Sequence, residues 1–242
     1  MKIIKLDAID STNSFLKEMV KNSTVENYTV IVTKKQTNGR GQMHTKWLSE
    51  PNKNLTFSIL LNNLKVKLYQ QKYLNFAVSL AIYKVLKRLD LKNIAIKWAN
   101  DIMSDNKKIC GILIENSLKK DIVTSSIVGI GLNVNQTNFP ESIKNVTSLK
   151  LLKNKDFNLD DLLEKIVSEV KNWIQYLDTD KKYLEDCYLK NLYKKDKVAT
   201  FRDVNDNLFT GMIIGISKNG KLQIKFENDT IQEFGIKEIA FA

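Results

Sequence analysis

Apolar positions along the first half of the chain follow the two periods of regular structure in turn. Residues 3–9, Ile-Ile-Lys-Leu-Asp-Ala-Ile, read as a short strand. The next five, Asp10-Ser11-Thr12-Asn13-Ser14, are capping types, and Phe15, Leu16, Met19 and Val20 then share one helical face, so Ser11 or Thr12 caps a short amphipathic helix. Runs at 28–34 and 55–61, rich in β-branched and apolar residues, predict two strands. From 68 to 89 an apolar stripe including Leu74, Phe76, Ala77, Leu80, Ala81, Val85 and Leu86 is wide enough for a helix laid against a sheet. Strands follow at 94–98, 108–115 and 126–133, with Asp105-Asn106-Lys107 as a hairpin tip. The polar stretch 135–158 reads as loop. Helices are predicted at 159–177, with Asn158 as N-cap and Asp160 and Asp161 in the first turn, and at 181–192.

Beyond residue 197 the texture changes to short β-like runs at 198–201, 208–216, 221–226 and 230–234, with Asn219-Gly220 as a two-residue hairpin signal. The pattern predicts an α/β (α+β) unit with helices packed on a sheet over residues 1–194, then a small antiparallel barrel over 195–242. Lys194-Lys195-Asp196-Lys197 is the expected linker.

One stretch fits neither period. Residues 36–47, Gln-Thr-Asn-Gly-Arg-Gly-Gln-Met-His-Thr-Lys-Trp, lie between two strands and read as a loop. Glycines 39 and 41 let the backbone approach a ligand and direct N–H groups at it, while the Arg40 guanidinium offers a fork to carboxylate or phosphate oxygens. The same residues also suit a solvated turn. Other segments carry a similar ambiguity. Ser11 and Thr12 are either caps or hydroxyls at a pocket mouth. Lys97 and Asp101, four residues apart across a strand end, either flank a solvated turn or hold a nucleotide phosphate and its magnesium ion. Gly129 and Gly131 mark either a bulge or a place where something approaches the sheet.

Composition narrows the class. With 242 residues, 43% hydrophobic and 27% charged, the chain has the make-up of an ordinary globular protein with a substantial core. Charges come too early for a signal peptide and no run of about 18 apolar residues occurs, so a cytoplasmic protein without membrane segments is expected. Cys110 and Cys187 are the only cysteines and there is one histidine, which supports neither a disulfide framework nor a zinc site. The net charge of +11 comes mainly from scattered lysines, a pattern that fits an acidic protein partner or simply a lysine-rich proteome better than a nucleic acid.

Taken jointly, Asp10-Ser11-Thr12-Asn13, Gln36 with Gly39-Arg40-Gly41 through Trp47, Lys97-Trp98-Ala99-Asn100-Asp101, Lys108 with Gly111-Ile112-Leu113-Ile114-Glu115, and Gly129-Ile130-Gly131-Leu132-Asn133 resemble the biotin protein ligase family in order and spacing, over nearly the whole chain. The resemblance implies a mixed sheet in a ligase domain similar to class II aminoacyl-tRNA synthetases, and a C-terminal SH3-like β-barrel. It implies activation of biotin with MgATP to biotinyl-5′-AMP, then transfer to a lysine of a biotin carboxyl carrier domain. On that resemblance Arg40 and Lys108 are the catalytic cations. Biotin falls to Ser11, Thr12, Asn13, Gln36, Gly39, Arg40, Lys108 and Gly111, the nucleotide to Arg40, Gly41, Trp47, Lys97, Asn100 and Asn133, and Mg²⁺ to Asp101. The 36–47 loop is expected to order over the adenylate and exclude water.

The chain departs from the family's usual loop pattern, with Gln42 and Thr45 where arginines are usual and His44 where glycine is usual, and Ala99 stands where proline is usual. His44 is a conceivable general base, though a loop histidine more often serves as polar surface. No space for a helix-turn-helix precedes Ser11, so no operator DNA binding is expected, while a homodimer stays open. Two rivals remain: a lipoate ligase of the same fold, and a non-catalytic nucleic-acid binder.

Overall fold

A computed structural model describes residues 2–242, with His44 described by its backbone alone, so the role considered for its imidazole lies outside the described residues. The elements run β1 (Ile3–Ile9), α1 (Thr12–Asn22), β2 (Val30–Gln36), β3 (Leu55–Leu61), β4 (Val66–Lys67), α2 (Lys72–Lys87), β5 (Ala95–Lys97), β6 (Asp101–Ser104), β7 (Lys107–Lys119), β8 (Ile122–Leu132), α3 (Leu149–Lys153), α4 (Leu159–Ile174), α5 (Tyr176–Thr179), α6 (Lys181–Lys190), β9 (Val198–Asp203), β10 (Leu208–Ile216), β11 (Leu222–Lys225), β12 (Ile231–Phe234) and β13 (Ile239–Phe241).

The first eight strands form one mixed sheet in the order β1-β2-β3-β8-β7-β6-β5, with β4 on β8. Only β1 and β2 are parallel, joined through α1; the other pairs are antiparallel. Strand alternation divides this sheet into two unlike faces. Val30, Phe57, Ile59, Val128, Ile130 and Ile112 point to the face covered by α2, α4 and α6, which holds the main core. Ile31, Leu60 and Ile127 point the other way, where α1 covers them with Leu16. The same opposite-face alternation carries Thr56 and Ser58 on β3, Gly111, Leu113 and Glu115 on β7, and Gly129 and Gly131 on β8. Thr12 and Asn13 at the start of α1 lie over Ser58 and Gly129, and Thr56, Gly111, Leu113, Gly129 and Gly131 form the floor of a cavity beside them.

β9 to β13 make an all-antiparallel sheet in the order β12-β11-β10-β9-β13. The expected barrel is thus an open five-stranded sheet, its end strands β12 and β13 unpaired with each other. Phe201, Phe209, Phe226 and Phe234 pack inside it, with Phe209 5.4 to 5.6 Å from the other three. Its core continues into that of the larger sheet. The Trp98 indole donates to the Gly220 carbonyl at 3.1 Å, and the nearly buried Lys72 ammonium joins Glu185 (2.8 Å) to the Ser217 carbonyl (3.0 Å).

Local signals place several boundaries. Asn158 caps α4 through the amides of Asp160 and Asp161, and the β6–β7 turn is Asp105-Asn106, both at positive φ, as a tight hairpin requires. Three expectations change. The 135–158 stretch contains α3, capped by Ser148; the 68–89 helix starts at Lys72, after a 3₁₀ turn; and the 159–177 helix breaks into α4 and α5. No helix of the described residues is long and apolar enough to cross a membrane.

Candidate active site

The cavity on the α1 face has a volume of about 320 Å³. Four parts of the chain enclose it: the start of α1, the 36–47 loop, the β5–β6 hairpin with the facing end of β7, and the C-terminal segment from Ile236 to Phe241. It brings together Ser11, Thr12, Asn13, Gln36, Arg40, Gly41, Trp47, Lys97, Asn100, Asp101, Lys108 and Gly111.

A neutral polar network builds one end. Ser11 is the N-cap of α1, accepting from the Ser14 amide, so the start of the helix faces the cavity. The Thr12 amide donates to Gln36 Oε1 at 2.8 Å, tying α1 to the end of β2. Ser58 Oγ lies 2.7 Å from Thr12 Oγ1 and 2.5 Å from Asn13 Oδ1, and all three residues are buried. Asn13 Nδ2 then donates to Glu115 Oε2 at 2.7 Å. Gly129 makes room for this amide: a Cβ there would stand 2.4 Å from Asn13 Oδ1.

Cations gather at the other end. Lys108 at the start of β7 forms an ion pair with Asp101 of β6 at 2.7 Å, and Arg40 pairs with Glu115 at 2.8 Å. Lys97 stands opposite Asp101 in the β5–β6 pairing, its ammonium 5.4 Å from the Phe241 ring centroid. Burial holds the Lys97 ammonium below the usual lysine range; Asp101 opposes that shift, and Lys108 and Lys194 reinforce it. Asp101 is the one carboxylate among the described lining residues, and with phosphate oxygens it suits the oxygen-ligand preference of a magnesium ion that arrives with its nucleotide.

The loop is an irregular hairpin. Arg40 and Lys46 form an isolated bridge, the Gly41 amide donates to the Thr45 carbonyl (2.7 Å), and that of Trp47 to the Gly39 carbonyl (2.9 Å). It lays the Trp47 indole across the sheet, where a Cβ at Gly131 would fall 2.3 Å from Trp47 Cε2 and one at Gly111 3.1 Å from Cζ3. Lys108 Nζ sits 5.7 Å from the same ring, and the indole Nε1 is buried without a partner. The close approach anticipated at Gly129 and Gly131 is therefore made by the protein's own Asn13 and Trp47.

Two expected residues stand outside the cavity lining. Gly39 serves the loop, since a Cβ there would lie 2.4 Å from the Trp47 carbonyl oxygen. Asn133 is buried just beyond the end of β8, its amide donating to the Thr147 carbonyl at 3.0 Å. Asn100 lines the cavity, but its amide is committed to the Ile112 carbonyl at 2.6 Å and braces the β5–β6 turn. Sequence reasoning assigned no role to Ser58 or Glu115, although Glu115 ends the recognised β7 segment. It also missed the C-terminal wall of Ile236, Lys237, Ile239, Ala240 and Phe241, for which β13, three residues long, left almost no periodic signal.

Comparison with known proteins places this fold. The profile of the Biotin/lipoate A/B protein ligase family matches residues 6–133. The chain is 28% identical over 244 residues to the bifunctional ligase/repressor BirA of Bacillus subtilis, covering 98% of this chain and 71% of that protein. Among solved structures, the biotin protein ligase of Aquifex aeolicus in complex with biotin and ATP superposes with a TM-score of 0.79 at 30% identity, covering 100% of this chain and 98% of the other. A Leishmania major biotin protein ligase with biotinyl-5-AMP shares the fold at 21% identity, TM-score 0.66, over 97% and 99% of the two chains. The chain belongs to the Biotin/lipoate A/B protein ligase family, among its biotin protein ligases.

Proposed function

We propose that this chain, an ATP-dependent biotin ligase, joins biotin to ATP as biotinyl-5′-AMP and then passes the biotinyl group to a lysine of a biotin carboxyl carrier domain. The observation that carries the reading is a single cavity with a neutral hydrogen-bonding end at Ser11, Thr12, Asn13 and Gln36 and a cationic end at Arg40, Lys97 and Lys108 beside Asp101. A cyclic urea needs donors and acceptors without charge, and the neutral end offers both. In the first step a biotin carboxylate oxygen bonds to the α-phosphorus of MgATP, the bond from that phosphorus to the α–β bridging oxygen breaks, and pyrophosphate leaves. Two anions must meet, and Arg40 and Lys108 supply the positive charge that permits this, while Asp101 holds the nucleotide's magnesium. In the second step the carrier amine attacks the biotinyl carbonyl, AMP departs with the bonding electrons, and the amine's extra proton passes to solvent. The acyl phosphate is already activated, so no covalent enzyme intermediate is required.

The same reading assigns the 36–47 loop the task of shielding the adenylate, with Trp47 and Gly41 on its nucleotide side. It gives the +11 charge a use in steering an acidic carrier. It also takes residues 1–194 as the catalytic unit and 195–242 as a second unit that closes one wall of the cavity.

Exchange of labelled pyrophosphate into ATP, run with biotin, with lipoate and with neither, tests the proposal. Exchange dependent on biotin is expected. Exchange with lipoate alone would keep the adenylation chemistry and overturn the substrate, and no exchange with either acid, in folded protein with magnesium, would overturn the proposal.

A further inference from the structure

Glu115 has no part in the chemistry described above, yet it joins the two ends of the cavity. One carboxylate oxygen, Oε2, accepts from Asn13 Nδ2 at 2.7 Å and from Arg40 Nη2 at 2.8 Å. Asn13 belongs to the floor, where it is buried and bonded to Ser58; Arg40 belongs to the loop, with its side chain 39% exposed. The polar chain therefore runs without a break from Gln36 through Thr12, Ser58, Asn13 and Glu115 to Arg40. An arginine on an exposed loop otherwise populates many rotamers, and a guanidinium fixed before the reaction stabilises developing charge better than one that must be ordered during it. The pair with Glu115 is monodentate, through Nη2 alone, which leaves the other N–H groups of the fork for an anion in the cavity that Arg40 lines.

We infer that Glu115 is a positioning residue that holds Arg40 at the cavity rim and ties that placement to the biotin-binding floor. The inference rests on the adenylation proposed above. Glu115 acts through Arg40, so its removal should matter only while Arg40 is present.

A double-mutant cycle on the full chain tests this, with single-turnover formation of biotinyl-5′-AMP as the rate and biotin affinity measured separately by calorimetry. Glu115→Gln keeps an oxygen for Asn13 and removes the charge that holds Arg40. It is expected to slow adenylation roughly tenfold with the biotin Kd moving less than about threefold, because the misplaced group acts in the chemical step. In an Arg40→Ala background the same change is expected to alter the rate less than about twofold. Equal slowing in both backgrounds, or no slowing in the native background, would overturn the inference. Glu115→Asp, which keeps the charge on a shorter stem, repeats the cycle should Glu115→Gln fail to fold. Pyrophosphate exchange by the unsubstituted chain reports separately on the adenylation itself, so failure of the cycle beside intact exchange overturns the role of Glu115 alone.

Discussion

Substituting Gly129 by alanine puts the smallest possible side chain into a contact of the floor that has no room for it. Gly129 lies on β8 between Ser58 of β3 and Leu113 of β7, and its missing Cβ would stand 2.4 Å from Asn13 Oδ1, about 1 Å inside the 3.4 Å at which ordinary contact begins. The central strands on either side are packed, so the amide is the group that must move. A shift of about 1 Å separates Asn13 from Ser58 (2.5 Å) and from Glu115 (2.7 Å), leaving a buried hydroxyl and a carboxylate short of a partner. At about 1 kcal/mol for the neutral bond and 1.5–3 for the charged one, the loss is roughly 2–4 kcal/mol. For a chain of this length that corresponds to a fall in Tm of roughly 5–15 °C. Because Asn13 is displaced within the floor proposed to bind biotin, biotin affinity is expected to fall roughly tenfold or more. Scanning calorimetry and biotin titration measure the two effects. Gly215→Ala is the control, since its Cβ would meet only Gln223 Oε1, at an ordinary 3.5 Å, and a Tm within about 2 °C of the native value is expected. A Gly129→Ala protein with native Tm and native biotin affinity would refute the reasoning.

Further consequences concern the cations and the loop. Lys108→Met removes the partner of Asp101 and a cation proposed for the adenylation step; pyrophosphate exchange is expected to fall about 10²–10³-fold while the partly exposed ion pair costs little stability, and near-native exchange would contradict its catalytic assignment. Burial makes the folded chain release the Lys97 proton below the ordinary value of 10.5, so across the interval from that lowered value up to 10.5 the unfolded chain binds more protons, and the contribution of Lys97 to stability rises with pH. Activity that needs the ammonium declines over the same interval; Lys97→Arg, charged throughout, is expected to remove that alkaline limb from the pH–rate profile, and an unchanged limb would place its origin elsewhere. Trypsin cleavage at Arg40 and Lys46 is expected to slow when biotin and ATP are added together, and an unchanged cleavage rate would contradict a shielding loop.

Features set by near neighbours were legible in the order of the residues. Asn158 caps α4 with amides two and three positions on, Asp105-Asn106 turns β6 into β7, and Phe15, Leu16, Met19 and Val20 share a face because helical spacing puts them there. Glycine inside a strand likewise marked positions 129 and 131 as either a bulge or points of close approach. What approaches them was not legible. Asn13 is 116 residues from Gly129 and Trp47 is 84 from Gly131, and each pair meets only once strand order and register are set. The expected Asn133 contact with nucleotide shows the reverse: its place beside two glycines suggested the cavity, but β8 ends at Leu132 and the side chain just beyond it is bonded to the Thr147 carbonyl, 14 residues on.

By itself, then, the sequence determined most of the elements and the faces they bury, because periodicity and capping depend on residues a few positions apart, while the segments expected to carry the chemistry stood out through their resemblance to a known family. Tertiary structure alone decided that Glu115 bridges Arg40 and Asn13, 75 and 102 residues away, and that residues 236–241 close the cavity wall. Those contacts follow from which strands pair and in which register, a choice made by the whole core and by no local segment of it.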